Sequence, residues 1–449
     1  MDTTSTIHRR DFLRSASAAG LGLAMTGRFP APARSLGGSP NERLRVAVMG
    51  LNGRGMVHAR NFARLPNTEL AYLCDVDARV LARAQAELQT SATAAAAAPR
   101  AIADFRRALD DRNVDVLSIA APDHWHTPAA ILAMQAGKHV YVEKPCGHDP
   151  YEGELIVQAQ RKYRRVVQMG NQQRSAPRSR EAIQAIAQGI IGRPYLARAW
   201  YANTRSGIGH GKPAPVPAWL DYELWQGPAP RTPYRDNVIH YNWHWFRRWG
   251  TGEICNNGTH EIDIARWALG ADYPTRVSST GGRYHFDDDW EFPDTQEVVF
   301  EFDGGRSIVW QGQSCNGLQT FGRGRGTAIL GTTGSIVLDR DGYVLYDVAG
   351  KVVREVREST STDGLNLVGD DAATSAHMEN FANAIRTDEA LHSPIAEGAR
   401  SVLLCHLGNI AQFTGHTLAV DPATGHVVGD AEAARYWRRE YAPGWAPMV

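Results

Sequence analysis

Apolar positions come in two rhythms along this chain, and the change of rhythm divides it. Leu44, Arg45, Val46, Ala47, Val48 and Met49 make a short β-branched run, the pattern of a strand buried on both faces. Similar runs occur at 69–74, 114–120 and 139–142, and another at 165–169 is read as opening the second domain. Helical spacing fills the intervals at 56–65, 82–98, 127–136 (with Gly137 as its stop) and 151–163. Strands alternating with helices of these lengths predict an α/β doubly wound parallel sheet. After residue 170 strands dominate, at 195–203, 275–286, 295–302, 306–313, 327–330, 335–339 and 342–347. Asp303-Gly304-Gly305 and Asp341-Gly342 are hairpin signals, so this second sheet is expected to be mostly antiparallel. Helices are expected at 377–386 and 395–413, followed by a tail from 418 to 449 that wraps over the protein or a partner subunit.

The first strand runs straight into Gly50-Leu51-Asn52-Gly53-Arg54-Gly55. A tight strand-to-helix turn needs positive φ, and absent side chains let a pyrophosphate approach the backbone and the helix N-terminus. The second strand ends at Asp75, 20 residues after Gly55, where a carboxylate accepts the adenosine ribose hydroxyls. A carboxylate there repels a 2′-phosphate, which favours NAD over NADP; Asp77 is the alternative if the register differs by two. The expected cofactor contacts in this turn are Gly50, Asn52, Gly53, Arg54, Gly55 and Asp75.

Length and charge narrow the possibilities. At 449 residues the chain holds two sizeable domains. Lys+Arg and Asp+Glu balance at 48 each, so no net field favours nucleic acid or a membrane surface. No apolar stretch beyond the leader approaches a membrane span. Five scattered cysteines, without C-x-x-C or metal spacing, read as buried small hydrophobes. His124-Trp125-His126 has H-x-H spacing but no matching third ligand nearby, so no metal is expected. The N-terminus is an address. His8-Arg9-Arg10-Asp11-Phe12-Leu13-Arg14, an apolar run over 15–27 and Ala31-Pro32-Ala33 match a twin-arginine export signal and its cleavage site. That pathway implies the export machinery as a partner, a periplasmic location, and a cofactor acquired before export.

Ala121-Pro122-Asp123-His124-Trp125-His126, followed by Ala136-Gly137-Lys138-His139-Val140-Tyr141-Val142-Glu143-Lys144-Pro145, resembles the Gfo/Idh/MocA oxidoreductases. The resemblance runs from about residue 44 to 415. It implies a Rossmann domain at 39–165, after a leader and linker at 1–38. A substrate-binding and homo-oligomerising α/β domain with an open sheet follows at 166–415, with the tail at 416–449. It also implies a tightly held NAD and a sugar or cyclic polyol substrate. The Glu-Lys-Pro lysine, Lys144, is placed beside the nicotinamide and the reacting hydroxyl, with Ala121, Pro122, Asp123, His126, Glu143 and Gln172 as further cofactor contacts.

The segment Gly252-Glu253-Ile254-Cys255-Asn256-Asn257-Gly258-Thr259-His260-Glu261-Ile262-Asp263 resembles the family signature D-x-G-x-H-x-x-D. His260 falls on the catalytic histidine and Asp263 on the trailing acid, three residues on and expected to orient it. Asn256 stands where many members carry aspartate, and an amide orients a hydroxyl without taking its proton. Trp243, Trp245 and Arg247, in the aromatic and basic run 243–249, are candidate substrate contacts beside Lys144, Asn256 and His260; half of these rings are expected to be core. The activity expected is hydride transfer between the nicotinamide and a sugar hydroxyl. The alternatives are a glycosidase or lyase working by transient oxidation, and a sugar-binding protein without catalysis.

Overall fold

The computed structural model describes residues 43–91, 98–357 and 372–449. The expected export signal and the end of the alanine-rich stretch therefore lie outside the described residues. Six strands, β1 (Leu44–Met49), β2 (Thr68–Cys74), β3 (Arg100–Ile102), β4 (Val116–Ile119), β5 (His139–Val142) and β6 (Val167–Met169), form the first sheet. Its order is β3-β2-β1-β4-β5-β6 and every pairing is parallel. The order reverses between β1 and β4, which opens a crevice at the carboxyl ends of those strands.

The alternation read in the sequence is visible in the packing. Val46 and Val48 enter one core with Phe62 and Tyr141, while Ala47 and Met49 enter another with Ile131 and Leu155. Helices α1 (Arg54–Arg64), α2 (Ala78–Ser91), α3 (His126–Gln135) and α4 (Pro150–Tyr163) provide the covering layers. α2 starts four residues earlier than the periodicity suggests, because Asp77 accepts the backbone N–H groups of Arg79 and Val80 and nucleates its first turn. β6 pairs with β5, so the strand assigned by pattern to the second domain completes the first sheet instead.

After α5 (Pro177–Ala187), the second sheet contains β7 (Pro194–Thr204), β8 (Arg276–Gly282), β9 (Thr295–Phe302), β10 (Arg306–Gln313), β12 (Arg325–Gly331), β13 (Gly334–Leu338), β14 (Gly342–Asp347), β15 (Val352–Arg357) and β16 (Leu418–Ala419), with a short β11 (Cys315–Asn316) pairing beside β7. All its neighbours are antiparallel except β7 and β10. β8 stops at Gly282, short of the expected 286, because the N–H groups of Tyr284 and His285 turn onto the Asp294 carboxylate. Gly304 and Gly305 take φ of 74° and 67° in the β9–β10 turn, as the hairpin signal requires.

One face of this sheet packs on α6 (Thr259–Leu269) and α8 (Ile395–Thr414), with Val298, Phe300 and Trp310 meeting Ile262, Leu404 and Leu407. α7 (Ala372–Thr387) returns to the first domain, where Met378 and Phe381 join the core around Tyr141. The tail does wrap over the protein: Trp437 accepts the Tyr151 N–H, Arg439 pairs with Glu152, and Trp445 packs edge-on against Trp125. Cys74, Cys146, Cys255 and Cys405 are buried as expected, but Cys315 at the sheet edge is partly exposed. No helix among the described residues is long and apolar enough to cross a membrane.

Candidate active site

The glycine turn is shaped by close approach. Gly50 has φ 84°, and a Cβ there would sit 2.6 Å from the Ala120 carbonyl oxygen. A Cβ on Gly55 would lie 1.5 Å from the Gly50 oxygen. Gly53, at φ 123°, faces open space, and no side chain caps the first N–H groups of α1. A helix N-terminus without a side-chain cap, its dipole and a bare backbone together suit a pyrophosphate. Gly55→Ala is expected to abolish tight nucleotide binding, which NADH fluorescence titration beside a circular-dichroism spectrum will show.

Asp75 ties this turn to the end of β2. Its Oδ2 accepts the Leu51 N–H at 2.7 Å and its Oδ1 the Asp77 N–H at 2.9 Å, leaving a lone pair on each oxygen for ribose hydroxyls. Asp77 is not available as the alternative: it is buried, paired with Arg79 and bonded to His240 at 2.9 Å. Asn52 accepts from Arg83 at 2.7 Å. The segment around Trp219 also meets this end of β2, with the Arg79 guanidinium 3.3 Å over the Trp219 ring and Ala78 donating to the Trp219 carbonyl.

Glu143, at the end of β5, gathers several of the expected contacts onto itself. Its Oε1 accepts from Arg54 Nε at 2.8 Å and Gln172 Nε2 at 2.9 Å, and lies 3.1 Å from His58 Nε2. Its Oε2 accepts the Lys144 N–H at 3.2 Å, and Arg54 also reaches Thr374 at 3.0 Å. Burial alone would push the Glu143 carboxyl up; Arg54, His58 and Lys144 hold it well below the usual carboxylate range. Arg54, Glu143 and Gln172 therefore brace the strand end by bonding one another.

Lys144 reaches from the end of β5 to the turn that leads into His260. Lys144 Nζ donates to the Asn256 carbonyl at 2.8 Å and to its Oδ1 at 3.1 Å. Asn256 sits in one π-helical turn, Ile254–Gly258, directly before α6, a widening of the helix often found at functional sites. Gly258 is needed there because a Cβ would press on the Trp310 ring at 3.0 Å. Burial lowers the Lys144 pKa, with Glu143 and Asp123 partly opposing; Asn256 supplies no carboxylate charge to restore it. Burial also takes His260 well below its ordinary value, helped by the charges of Arg340, Lys144 and Arg325. Its imidazole has no hydrogen-bond partner among the described residues. Both side chains are nitrogen bases biased toward neutrality, and the Lys144 charge acts on the His260 ring.

Other expected site residues are occupied elsewhere. Asp263 does not orient His260: its carboxylate takes Arg174 at 2.7 and 2.9 Å and Ser401 at 2.6 Å, because a guanidinium is a stronger partner than a neutral ring. His126 sits with Nε2 2.8 Å from the Ala121 carbonyl oxygen and Nδ1 2.6 Å from that of Pro145, so its ring lies between the loops after β4 and β5. Asp123 is buried and accepts from Thr251 at 2.5 Å, docking the segment before the π turn; Pro122, beside it, is only partly buried. Trp245 is core, stacked on Trp290 at 3.8 Å. Arg247 lies 3.6 Å over Phe413, away from Lys144 in sequence and contact. Trp243 is partly buried and stacks on His244 at 3.6 Å.

The sequence reading missed a polar lattice along the same wall. Arg205 pairs with Glu253 at 2.6 Å, Arg325 with Glu261 at 2.7 Å, and Asn257 links the two by donating to Glu253 and accepting from Arg325. It also missed Asn171, after β6, whose amide is buried with neither its oxygen nor its nitrogen partnered. Its neighbour Gln172, expected in that role, is bound to Glu143 instead. An orphaned amide at the carboxyl end of the strand beside Lys144's suits a polar ligand such as a carboxamide. No cluster of metal-ligating side chains occurs among the described residues.

Two family models divide the chain as its sheets do. Residues 44–171 match the oxidoreductase family's NAD-binding Rossmann fold and residues 196–339 its C-terminal alpha/beta domain. The chain belongs to the Gfo/Idh/MocA oxidoreductase family. A glycosyl hydrolase family 109 protein of Solibacter usitatus is 32% identical over 178 residues, 38% of this chain and 40% of that protein. An inositol 2-dehydrogenase of Rubrobacter xylanophilus is 28% identical over 165 residues, 36% of this chain and 45% of that one. The matched regions thus span less than half the length of these Gfo/Idh/MocA relatives. A levoglucosan dehydrogenase in complex with NADH and levoglucosan shares the fold with TM-score 0.66 at 19% identity, over 86% of this chain and all of that one. The aldose–aldose oxidoreductase of Caulobacter crescentus does so with TM-score 0.64 at 17% identity, over 84% and 100%.

Proposed function

We propose that this Gfo/Idh/MocA protein oxidises a hydroxyl of a sugar or cyclic polyol, using an NAD that stays bound through the cycle. The observation that carries the proposal is the contact of Lys144 with Asn256, which joins the end of β5 in the nucleotide-binding sheet to the turn before His260, both nitrogen bases being depressed. When bound, the nicotinamide supplies the hydride acceptor. The Gly50–Gly53–Gly55 backbone and the N-terminus of α1 fit its pyrophosphate, Asp75 the ribose of NAD, and Asn171 a polar edge of the ring. Lys144 or His260 takes the hydroxyl proton as the C–H bond breaks; Asn256 positions the hydroxyl by donating through Nδ2. The motif at residues 8–14 supports export by the twin-arginine route with the cofactor already in place.

A panel of sugars and inositols added to purified protein, monitored for fluorescence of reduced bound nicotinamide, tests this. At least one member is expected to reduce the bound nucleotide, and silence across the panel with nucleotide present would oppose the proposal. Asp75→Ala is expected to weaken NADH binding by about tenfold, the loss of roughly one charged hydrogen-bond acceptor, and to narrow the preference over NADPH in the same titration.

A second reading has its own support in the relatives named glycosyl hydrolase family 109 proteins. Here the oxidation is transient: a ketone acidifies the adjacent C–H, the glycosidic bond breaks, and the hydride returns. Aryl glycosides that release their phenol without net accumulation of reduced nucleotide favour it. Release that requires stoichiometric nucleotide reduction opposes it.

A further inference from the structure

We infer that Trp219 and His240, on an excursion of the second domain, form the outer wall of the adenosine end of the nucleotide site and govern how fast the nucleotide leaves. The inference rests on the proposed nucleotide binding at the glycine turn and names the residues that keep the cofactor in place between turnovers.

Between β7 and β8 the chain adds no strand to either sheet. Residues 208–249 instead collapse on themselves, because Leu220, Tyr222, Trp225, Val238, Phe246 and Trp249 supply a core of their own. Val76, just beyond the end of β2, packs against that core, so the excursion is seated on the first domain.

Direct contacts fix this seat. The Ala78 N–H donates to the Trp219 carbonyl at 2.9 Å and the Asp221 N–H to the Val76 carbonyl at 3.0 Å, on either side of a bridge between Asp77 and Leu220. The Arg79 guanidinium lies 3.3 Å over the Trp219 ring, while its Nε and Nη2 donate to the Asp77 carboxylate at 3.2 and 3.0 Å. His240 donates through Nε2 to Asp77 Oδ2 at 2.9 Å. Asp77 is fully buried among these partners, and its N–H is the donor that holds Asp75 Oδ1. The wall therefore touches the residues that directly follow the carboxylate fitted to the ribose.

Topology puts the seat on the nucleotide's side of the sheet. Residues 76–79 leave the carboxyl end of β2, the edge over which a dinucleotide lies in a sheet of this order. A second seat lies on the turn after β4, where the His124 N–H donates to the Trp249 carbonyl at 3.2 Å and Trp125 Nε1 to that of Trp225 at 3.1 Å. β2 and β4 flank β1, so an element fixed to the ends of both borders the glycine turn between them. The β4 seat is buried and closely packed, since a Cβ on Gly227 would lie 1.9 Å from the Trp125 ring. The β2 seat is looser: more than half of the Arg79 side chain is exposed, and Trp219 and His240 are only half-buried. Opening is therefore set at Trp219 and His240, where the fewest buried contacts have to break.

Nucleotide release reads this directly. The purified full chain is loaded with NADH and chased with excess NAD, and the loss of bound-NADH fluorescence gives the dissociation rate. The double variant Trp219→Ala, His240→Ala is expected to release NADH at least about tenfold faster than wild type, with an unchanged unfolding midpoint. Trp219→Phe keeps a ring under Arg79 and should stay within about threefold of wild type, a rescue that general loosening would not give. In wild type, bound NADH should slow hydrogen exchange in the peptides containing Ala78 and Asp221, and ADP-ribose, which carries the adenosine end without the nicotinamide, should slow it equally. Release at the wild-type rate from the folded double variant, or exchange in those peptides that ignores both ligands, overturns the inference. Should the double variant fail to fold, the exchange result in wild type decides. A chain that binds neither NADH nor ADP-ribose overturns this inference and the proposed function together, whereas bound nucleotide that no sugar reduces opposes the proposed oxidation alone.

Discussion

Lys144→Met is expected to lower sugar-dependent reduction of bound nucleotide by ~10³-fold, the scale of losing a positioned proton acceptor. NADH affinity should change by less than about threefold, because the pyrophosphate and ribose contacts lie on the glycine turn and Asp75. Methionine nearly preserves the volume of the lysine stem and removes the nitrogen that bonds Asn256. Lys144→Arg should not rescue the rate, since a guanidinium keeps its proton at any working pH. The pH dependence follows from the direction of the shifts. Lys144 and His260 are both lowered by burial, so each releases its proton at a lower pH than the free side chain does. The rising limb of the rate against pH should therefore lie below the ordinary lysine range. Stopped-flow fluorescence of wild type and variant across pH measures both effects. A Lys144→Met enzyme within tenfold of wild type would remove the amine from the chemistry.

The second large effect concerns stability. Arg174→Met is expected to cost ~3–5 kcal/mol, because Asp263 would be left charged and buried without its guanidinium. The pair joins the turn after β6 to α6, and Ser401 on α8 completes it, so its loss loosens the helix that carries His260. Replacing both residues, as Arg174→Met with Asp263→Leu, should recover part of the loss, since no buried charge is then stranded. Burial raises the Asp263 carboxyl, but Arg174 and Ser401 outweigh it and leave the group below its ordinary value. The stabilisation is thus complete above the usual carboxylate range and lost as pH falls through the lowered value in the folded protein. Urea unfolding midpoints at neutral and acidic pH check both statements.

Much of this architecture is written in local patterns. β1 reads as a buried parallel strand because Val46, Ala47, Val48 and Met49 must be apolar on both faces, and both faces are in fact covered. The turn after it is legible because Gly50 and Gly55 are sterically obligatory. Elements that depend on partners are not legible in the same way. β3 is three residues long and β16 two, and each is a strand only because β2 and β8 offer them an edge. Side-chain pairing across elements is harder still. Asp263 shares a helix face with His260, yet Arg174, distant in sequence, claims its charge. In the run 243–249, spacing cannot separate Trp245, which is stacked in the core on Trp290, from His244, whose Nε2 remains unpartnered one residue earlier. Asn171 and Gln172 are adjacent amides, and only the position of Glu143 decides which of them is tied down.

The most direct test follows one hydrogen. A sugar or inositol carrying deuterium on each hydroxyl-bearing carbon is given to the purified full chain, and the nucleotide that remains bound is extracted and examined by mass spectrometry and NMR. Deuterium on the nicotinamide ring in wild type, and its loss in Lys144→Met, is the predicted result. A nucleotide recovered unlabelled from every sugar offered, or labelled equally in Lys144→Met, would contradict the account.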